Sequence, residues 1–111
     1  MEVERAEAEL LELLRQGQST GYELLMRRYN RLLFRAARGI VLDDAEAEGA
    51  VQEAYLRAFA SLHAFREDCA LGTWLVRIVI DQALRQQRKL GRVLEGSRTA
   101  SPSTGGPPAV G

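Results

Sequence analysis

The chain has 111 residues, and its 15 basic residues are balanced by 15 acidic ones. This length allows one domain, and the zero formal charge excludes a simple polycation that coats any nucleic acid. Apolar residues make up 46% of the chain, enough to bury a core, and the single cysteine excludes an intrachain disulfide. No apolar run approaches the roughly 20 residues that span a bilayer, and the N-terminus lacks the pattern of a signal peptide. We therefore expect a cytoplasmic protein without membrane insertion.

The first two predicted elements are helices, because apolar residues recur every three or four positions instead of alternating. The first helix is predicted over about residues 3–15, with Gly17 as its C-terminal stop. The second is predicted to begin at a capping box over residues 20–23, in which the Thr20 hydroxyl caps the first turn. It should continue to about Val41.

The second predicted helix has two chemically different sides. Its apolar side comprises Leu25, Met26, Tyr29, Leu32, Leu33, Ala36 and Ile40. Its other side carries Arg27, Arg28, Arg31, Arg35 and Arg38. Two interpretations of these arginines stay open: they line a path for DNA phosphates, or they keep that side of the helix solvated.

The third predicted helix opens at Asp43, whose side chain can cap its first turn, and continues to about Leu62. Its buried stripe should comprise Val51, Tyr55, Ala58, Phe59 and Leu62. Five acidic residues against Arg57 give this segment a net charge of −4. An acidic exposed side is unsuited to DNA but suited to a basic groove on a protein.

A loop over about residues 63–69 precedes a fourth helix, predicted over about residues 70–90. Steps of 100° per residue place its charged residues on one narrow stripe with a tryptophan at one end. The stripe comprises Trp74, Arg77, Asp81, Arg85, Arg88 and Arg92. The side that should pack inward comprises Leu71, Leu75, Ile78, Val79 and Ala83. Guanidinium groups one turn apart suit nucleic-acid phosphates, and an ordinary solvated face is the alternative.

The C-terminal segment differs in composition from the rest of the chain. Residues 96–111 contain all three prolines and four of the ten glycines, which predicts a flexible segment. We therefore expect an all-α fold, a compact bundle of about four helices over residues 1–92. A disordered Gly/Pro/Ser-rich linker or tail should follow over residues 93–111.

The residues offer no catalytic constellation. His63 is the only histidine and has no partner at the spacing of a triad, and Cys69 has no cationic neighbour beyond Arg66. No glycine-rich phosphate-binding loop occurs. We expect neither an enzyme nor a bound cofactor or metal.

Three stretches carry a family resemblance: DAEAEGAVQEAYLRAF at residues 44–59, the Phe65-Arg66 pair, and TWLVRIVIDQALRQQRK at residues 73–89. They resemble region 2 of bacterial RNA polymerase sigma factors of the extracytoplasmic-function (ECF) type. The motif pieces occur in the family's order and at its intervals, and the resemblance covers about residues 8–90. It implies a dissociable, non-enzymatic subunit that docks on core RNA polymerase and opens the minus-ten promoter element.

The resemblance also implies two sets of site residues. In such factors the helix with the VQE motif faces the clamp of the largest polymerase subunit, which here points to Glu48, Gln52, Glu53 and Leu56. The loop before the last helix captures a flipped base of the non-template strand, and that helix contacts the strand. These DNA-binding roles fall on Phe65, Arg66, Trp74, Arg77, Asp81, Arg85, Arg88 and Lys89.

Two positions depart from the family pattern. Gly49 stands where the family usually has Asp, and glycine costs a helix about 1 kcal/mol. Asp81 stands where the family usually has Asn, and an ionised carboxylate repels phosphate. We expect Arg77 and Arg85, four residues to either side, to neutralise Asp81.

Sigma factors of this type also carry a C-terminal helix-turn-helix domain that reads the minus-thirty-five element. We expect the chain to be a fragment that ends in the interdomain linker. The alternative function is a sigma-like interaction module that binds an anti-sigma factor or polymerase without recognising DNA.

Overall fold

A computed structural model describes the backbone of residues 2–100 and the side chains of residues 5–93. It contains four α-helices and no strand within that range, which confirms the all-α prediction. The helices are α1 (Glu2–Arg15), α2 (Ser19–Arg38), α3 (Asp44–Ala60) and α4 (Leu71–Ala100), with a 3₁₀ turn over Leu62–Ala64. Of the tail predicted over residues 93–111, residues 93–100 belong to α4, and residues 101–111 lie outside the described residues.

The turn between α1 and α2 depends on glycine. Gly17 has a φ of 72°, in the left-handed region, and its amide closes α1 by donating to the Leu14 carbonyl at 3.0 Å. The predicted capping box is wrong, because α2 already begins at Ser19 and Gln18 precedes it without a side-chain cap. Thr20 therefore lies inside the first turn of α2, and the next residue, Gly21, packs against α1, where an added Cβ would lie 2.9 Å from the Cβ of Leu13.

Helix α2 ends at Arg38, three residues earlier than predicted, and hydrogen bonds from the Arg38 side chain stabilise the turn to α3. The Arg38 guanidinium donates to the Val41 carbonyl and to the Asp44 carboxylate, both at 3.0 Å. The predicted cap of α3 is confirmed, since Asp43 Oδ1 accepts from the Glu46 amide at 2.8 Å.

The core lies where α2, α3 and α4 meet, with α1 packed against α2. The predicted inward residues of α4 are buried except Ile78, which is half-buried. The predicted apolar side of α2 is partly wrong. Leu32, which is predicted on it, is 45% exposed, whereas Ala37, which is not, is fully buried. The buried row of α2 follows a strict four-residue step, and Leu32 lies beside it. That row is Leu25, Tyr29, Leu33 and Ala37.

Helix α4 is positioned by side chains from α1 and α2. Glu7 Oε1 of α1 accepts from the Leu71 amide at 2.7 Å and from the Tyr29 hydroxyl at 3.4 Å. Gly72 lets α4 approach α2 closely, since an added Cβ would lie 2.8 Å from Cε1 of Tyr29. These contacts fix the first turn of α4 and hence the loop before it.

The predicted end of α4 at Leu90 is wrong, because the helix continues to Ala100. Gly91 lowers helix propensity without breaking the helix, and the first proline stands only at position 102. In the described part of the chain, no helix combines the length and apolar character needed to cross a membrane.

Candidate nucleic-acid and protein-binding surfaces

The basic residues of α4 point away from the core, as the sequence predicts. Arg77, Arg85, Arg88 and Lys89 are all exposed, and Arg92 extends the row by a further turn. The opposite side of the helix is buried against α2 and α3. We call the row formed by Trp74, Arg77, Asp81, Arg85 and Arg88 the α4 stripe.

Asp81 is the acidic group at the centre of the α4 stripe. Its Oδ2 accepts from Nη2 of Arg57 on α3 and from Nε of Arg85 on α4, each at 2.9 Å. The hydrogen bond from Arg57, assisted by the charges of both arginines, holds the pKa of Asp81 below its usual value. Asp81 therefore stays ionised at neutral pH with two cationic partners.

The expectation that Arg77 neutralises Asp81 is wrong. Arg77 Nη1 lies 3.9 Å from the Cys69 sulfur instead. Side chains of a helix lean toward its N-terminus, so Arg85 leans toward Asp81 whereas Arg77 leans away from it. The second partner of Asp81 is Arg57, which also donates to the Gln82 side chain at 3.2 Å.

The predicted DNA-binding residues of the loop differ in accessibility. Phe65 is buried, at 5% exposure, and its ring centroid lies 4.9 Å from that of half-buried Trp74. Arg66 is exposed. The buried Phe65 ring thus packs against Trp74 from the core side. Trp74 and Arg66 are more accessible to a ligand than Phe65. Arg15 of α1 holds this loop through an ion pair with Glu67 at 3.1 Å.

The predicted polymerase-binding residues divide between two sides of α3. Glu48, Gln52 and Leu56 recur every four residues on its outer surface, and Leu56 is 63% exposed. Glu53 lies on the side toward α4, where it lines the same shallow groove as Lys89. Three of the four residues therefore form one row, and the fourth faces elsewhere.

A groove of about 580 Å³ runs between α2 and α3 beside that row. We call it the α2/α3 groove; it is lined by Met26, Asn30, Arg31, Phe34, Glu48, Val51, Gln52 and Tyr55. Tyr55 donates its hydroxyl proton to Asn30 Oδ1 at 2.6 Å, and burial raises the pKa of Tyr55 to about 12. The groove thus combines a neutral, largely apolar floor with an acidic rim on α3 and a basic rim on α2.

Gly49 has no packing role in α3. An added Cβ there would meet no atom within 4 Å, so the structure leaves room for the side chain that the family usually has.

Within the described part of the chain, no group of three or more His, Cys, Asp or Glu side chains could hold a metal ion.

Arg57 contacts the α4 stripe through Asp81, and the sequence pattern does not predict this contact. Its only sequence signal is that it is the single basic residue of an acidic helix. Its partner Asp81 lies 24 residues further along the chain, on a different helix.

Comparison with known proteins identifies a family and several relatives of this chain. Residues 25–93 match the family described as Sigma-70 region 2. Over 86 residues the chain is 37% identical to the ECF RNA polymerase sigma factor SigM of Mycobacterium tuberculosis, covering 78% of this chain and 44% of that protein. Over 92 residues it is 32% identical to the RNA polymerase sigma-H factor of Pseudomonas aeruginosa, covering 83% and 48%. The chain spans less than half the length of these relatives.

Proposed function

The chain belongs to the Sigma-70 region 2 family, and from that premise we propose that it acts in transcription initiation by binding core RNA polymerase and opening the minus-ten promoter element. The family is one of initiation factors that are not enzymes, in line with the expectation from the sequence. The proposed partners are the clamp of the largest polymerase subunit and the non-template strand of promoter DNA, met in the cytoplasm.

The observation that carries the DNA part of the proposal is the outward-facing α4 stripe. Arg77, Arg85 and Arg88 project into solvent along one line, where successive guanidinium groups can each meet a phosphate of an extended strand. Trp74 stands at the end of that line beside the loop, where its partly exposed ring can support an unstacked base. The stripe and the loop therefore provide phosphate contacts and a base site in one continuous surface.

Promoter opening on this surface needs no chemical step. A strand whose bases are unpaired and splayed out can place them against Trp74 and the loop, whereas paired bases in a duplex cannot reach these groups. Binding energy gained only by the opened strand shifts the equilibrium toward the open form. The surface therefore favours melting by preferring one of two DNA states.

The α2/α3 groove and the row on α3 support the polymerase part of the proposal. Leu56 offers an exposed apolar anchor, and Glu48 provides negative charge at the rim of an apolar groove. A helix of the polymerase clamp with apolar and basic residues fits this arrangement. The polymerase and the DNA strand then occupy different surfaces of one small domain.

The proposal predicts weak DNA binding by the domain alone. Four to six phosphate contacts give an affinity that falls steeply with salt, and the acidic residues of α3 repel DNA when no polymerase covers them. The test measures binding of the 111-residue chain to labelled single-stranded oligonucleotides of varied minus-ten sequence, with and without core enzyme. We expect a sequence-dependent signal that core enzyme strengthens. Equal binding of all sequences, with no effect of core enzyme, contradicts the proposal.

The exposed Leu56 and the apolar floor of the α2/α3 groove also favour a second candidate, a module that binds polymerase or an anti-sigma factor without recognising DNA. Charge reversal at Arg85 and Arg88 distinguishes the two functions. Loss of oligonucleotide binding with intact polymerase binding supports the first candidate. Unchanged oligonucleotide binding supports the second.

A further inference from the structure

Helix α2 carries a second basic surface, separate from the α4 stripe, and of its five arginines one, Arg31, also lines the α2/α3 groove. At about 100° per residue, its five arginines fall within an arc of about 100°. They are Arg27, Arg28, Arg31, Arg35 and Arg38, and all are exposed. The buried row of α2 lies on the opposite side of the helix.

Three of these arginines have no ion-pair partner among the described side chains. Arg38 is already paired with Asp44 at 3.0 Å, and the Arg28 guanidinium lies 5.6 Å from the ring centre of Tyr29. Among the side chains of residues 5–93, none forms an ion pair with Arg27, Arg31 or Arg35. These three residues, at successive steps of four, form what we call the α2 row.

The α2 row and the α4 stripe lie on different faces of the domain. Helices α2 and α4 meet through their inner faces, at the close contact of Tyr29 with Gly72. The basic residues of each helix lie on the side away from that contact. A short DNA single strand bound along α4 would therefore leave the α2 row unoccupied.

We propose that the α2 row is a second, sequence-independent DNA surface that binds the phosphates of duplex DNA. Its three guanidinium groups extend over about 12 Å, a length of duplex axis that carries about seven phosphate charges on its two strands. An evenly spaced row of cations matches such a repeating array of charge. This inference goes beyond the proposed function and does not depend on single-strand binding by α4.

Duplex DNA fits the row better than an acidic protein segment does. A docked protein helix needs apolar anchors at the centre of its contact. Within the arc of the arginines the exposed apolar residue is Leu24, at 40% exposure, which lines a groove against α1 together with Arg27 and Arg28 at the N-terminal end of the α2 row. Beyond that groove the row continues with the exposed Arg31 and Arg35, and such a series of cations is typical of phosphate contacts.

The test uses the variant Arg27→Gln/Arg35→Gln in the 111-residue chain. Arg31 is left unchanged, because it also lines the α2/α3 groove. The matched control, Arg27→Lys/Arg35→Lys, keeps both charges. The probes are a mixed-sequence 24-base-pair duplex, a single-stranded minus-ten oligonucleotide, and poly-L-glutamate as a competitor. Fluorescence anisotropy is measured from about 50 to 200 mM salt.

We expect the glutamine variant to bind the duplex about tenfold more weakly at 50 mM salt, with a salt slope reduced by about 2. The lysine variant should keep the slope of the parent chain, and single-strand binding should change less than twofold in both. Since both arginines are exposed, thermal unfolding should not change. The single variants Arg27→Gln and Arg35→Gln should each lower the slope by about 1.

Any one of three outcomes overturns the inference. The first is that the duplex affinity and salt slope stay unchanged in the glutamine variant, and the second is that the duplex and single-strand affinities fall together. The third is that poly-L-glutamate displaces the duplex at equal charge concentration. The last outcome assigns the row to an acidic protein. An Arg85→Gln/Arg88→Gln variant that loses only single-strand binding supports the proposed function whatever the α2 row does.

Discussion

The carboxylate of Asp81 on α4 and the guanidinium of Arg57 on α3 form an ion pair of 2.9 Å at the centre of the α4 stripe. The same carboxylate oxygen accepts from Arg85 at 2.9 Å. A DNA phosphate that approaches here has to compete with Asp81 for both guanidinium groups. Asp81 therefore orders two cations and at the same time weakens their attraction for a strand.

Replacing Asp81 tests this competition. We expect Asp81→Asn to raise the affinity for single-stranded minus-ten oligonucleotides about three- to tenfold at low salt, because the amide removes one negative charge beside two arginines. Since the pKa of Asp81 is held below its usual value, the gain should persist from about pH 5 to pH 8. Fluorescence anisotropy measures it, and Glu12→Gln on α1 controls for net charge. An affinity equal to that of the control variant would show that phosphates do not approach Asp81.

Leu56 tests the polymerase surface. We expect Leu56→Ala to weaken binding to core RNA polymerase about tenfold, because a 63% exposed leucine next to the α2/α3 groove can act as an apolar anchor. Leu32→Ala is the matched control, since Leu32 is also exposed but lies on α2, outside the row that Leu56 forms with Glu48 and Gln52. Affinity is measured by titrating labelled protein with core enzyme. An equal loss in both variants contradicts the proposed surface.

Two helical glycines should respond to alanine in opposite directions. Gly72→Ala should destabilise the domain by about 1 to 3 kcal/mol, because the new methyl group would collide with Tyr29. Gly49→Ala should stabilise it by up to about 1 kcal/mol, because a Cβ there meets no neighbour and alanine favours the helix. Urea unfolding followed by circular dichroism measures both. A stabilising Gly72→Ala would show that the contact between α2 and α4 is looser than described.

Tyr55 should make the domain sensitive to alkali. Its pKa is raised to about 12 by burial, against about 10 in the unfolded chain. The folded state therefore holds the proton more tightly, so stability is constant below about pH 10 and falls as the pH rises from 10 to 12. Tyr55→Phe should reduce this fall, although it loses the 2.6 Å hydrogen bond to Asn30 at every pH. Thermal unfolding between pH 8 and 12 compares the slopes, and equal slopes contradict the assignment.

Much of the fold follows from local sequence patterns. The helical spacing of apolar residues predicts all four helices, Asp43 predicts the start of α3, and Gly17 predicts the turn after α1. The outward direction of the α4 stripe follows from the same spacing, because a helix with one buried side must expose the opposite one. These features depend on residues within a few turns of one another.

The errors concern contacts between elements that are distant in sequence. The link between Arg57 and Asp81 joins two helices, and no local pattern indicates which charged residues will meet across them. The burial of Ala37 in place of Leu32 depends on how α2 rotates against its neighbours. The close approach of α1 to α2 at Gly21 joins two helices that no local pattern brings together. Tertiary packing decided each of these positions.

Glu7 gives α1 a role that its position outside the family match at residues 25–93 does not suggest. Its carboxylate accepts from both the Leu71 amide and the Tyr29 hydroxyl. A protein trimmed to the family boundary would lose the acceptor that holds the first turn of α4, although every residue proposed to touch DNA would remain. The smallest unit that keeps this contact therefore begins upstream of residue 25, and deletion experiments should start from Glu7 or earlier.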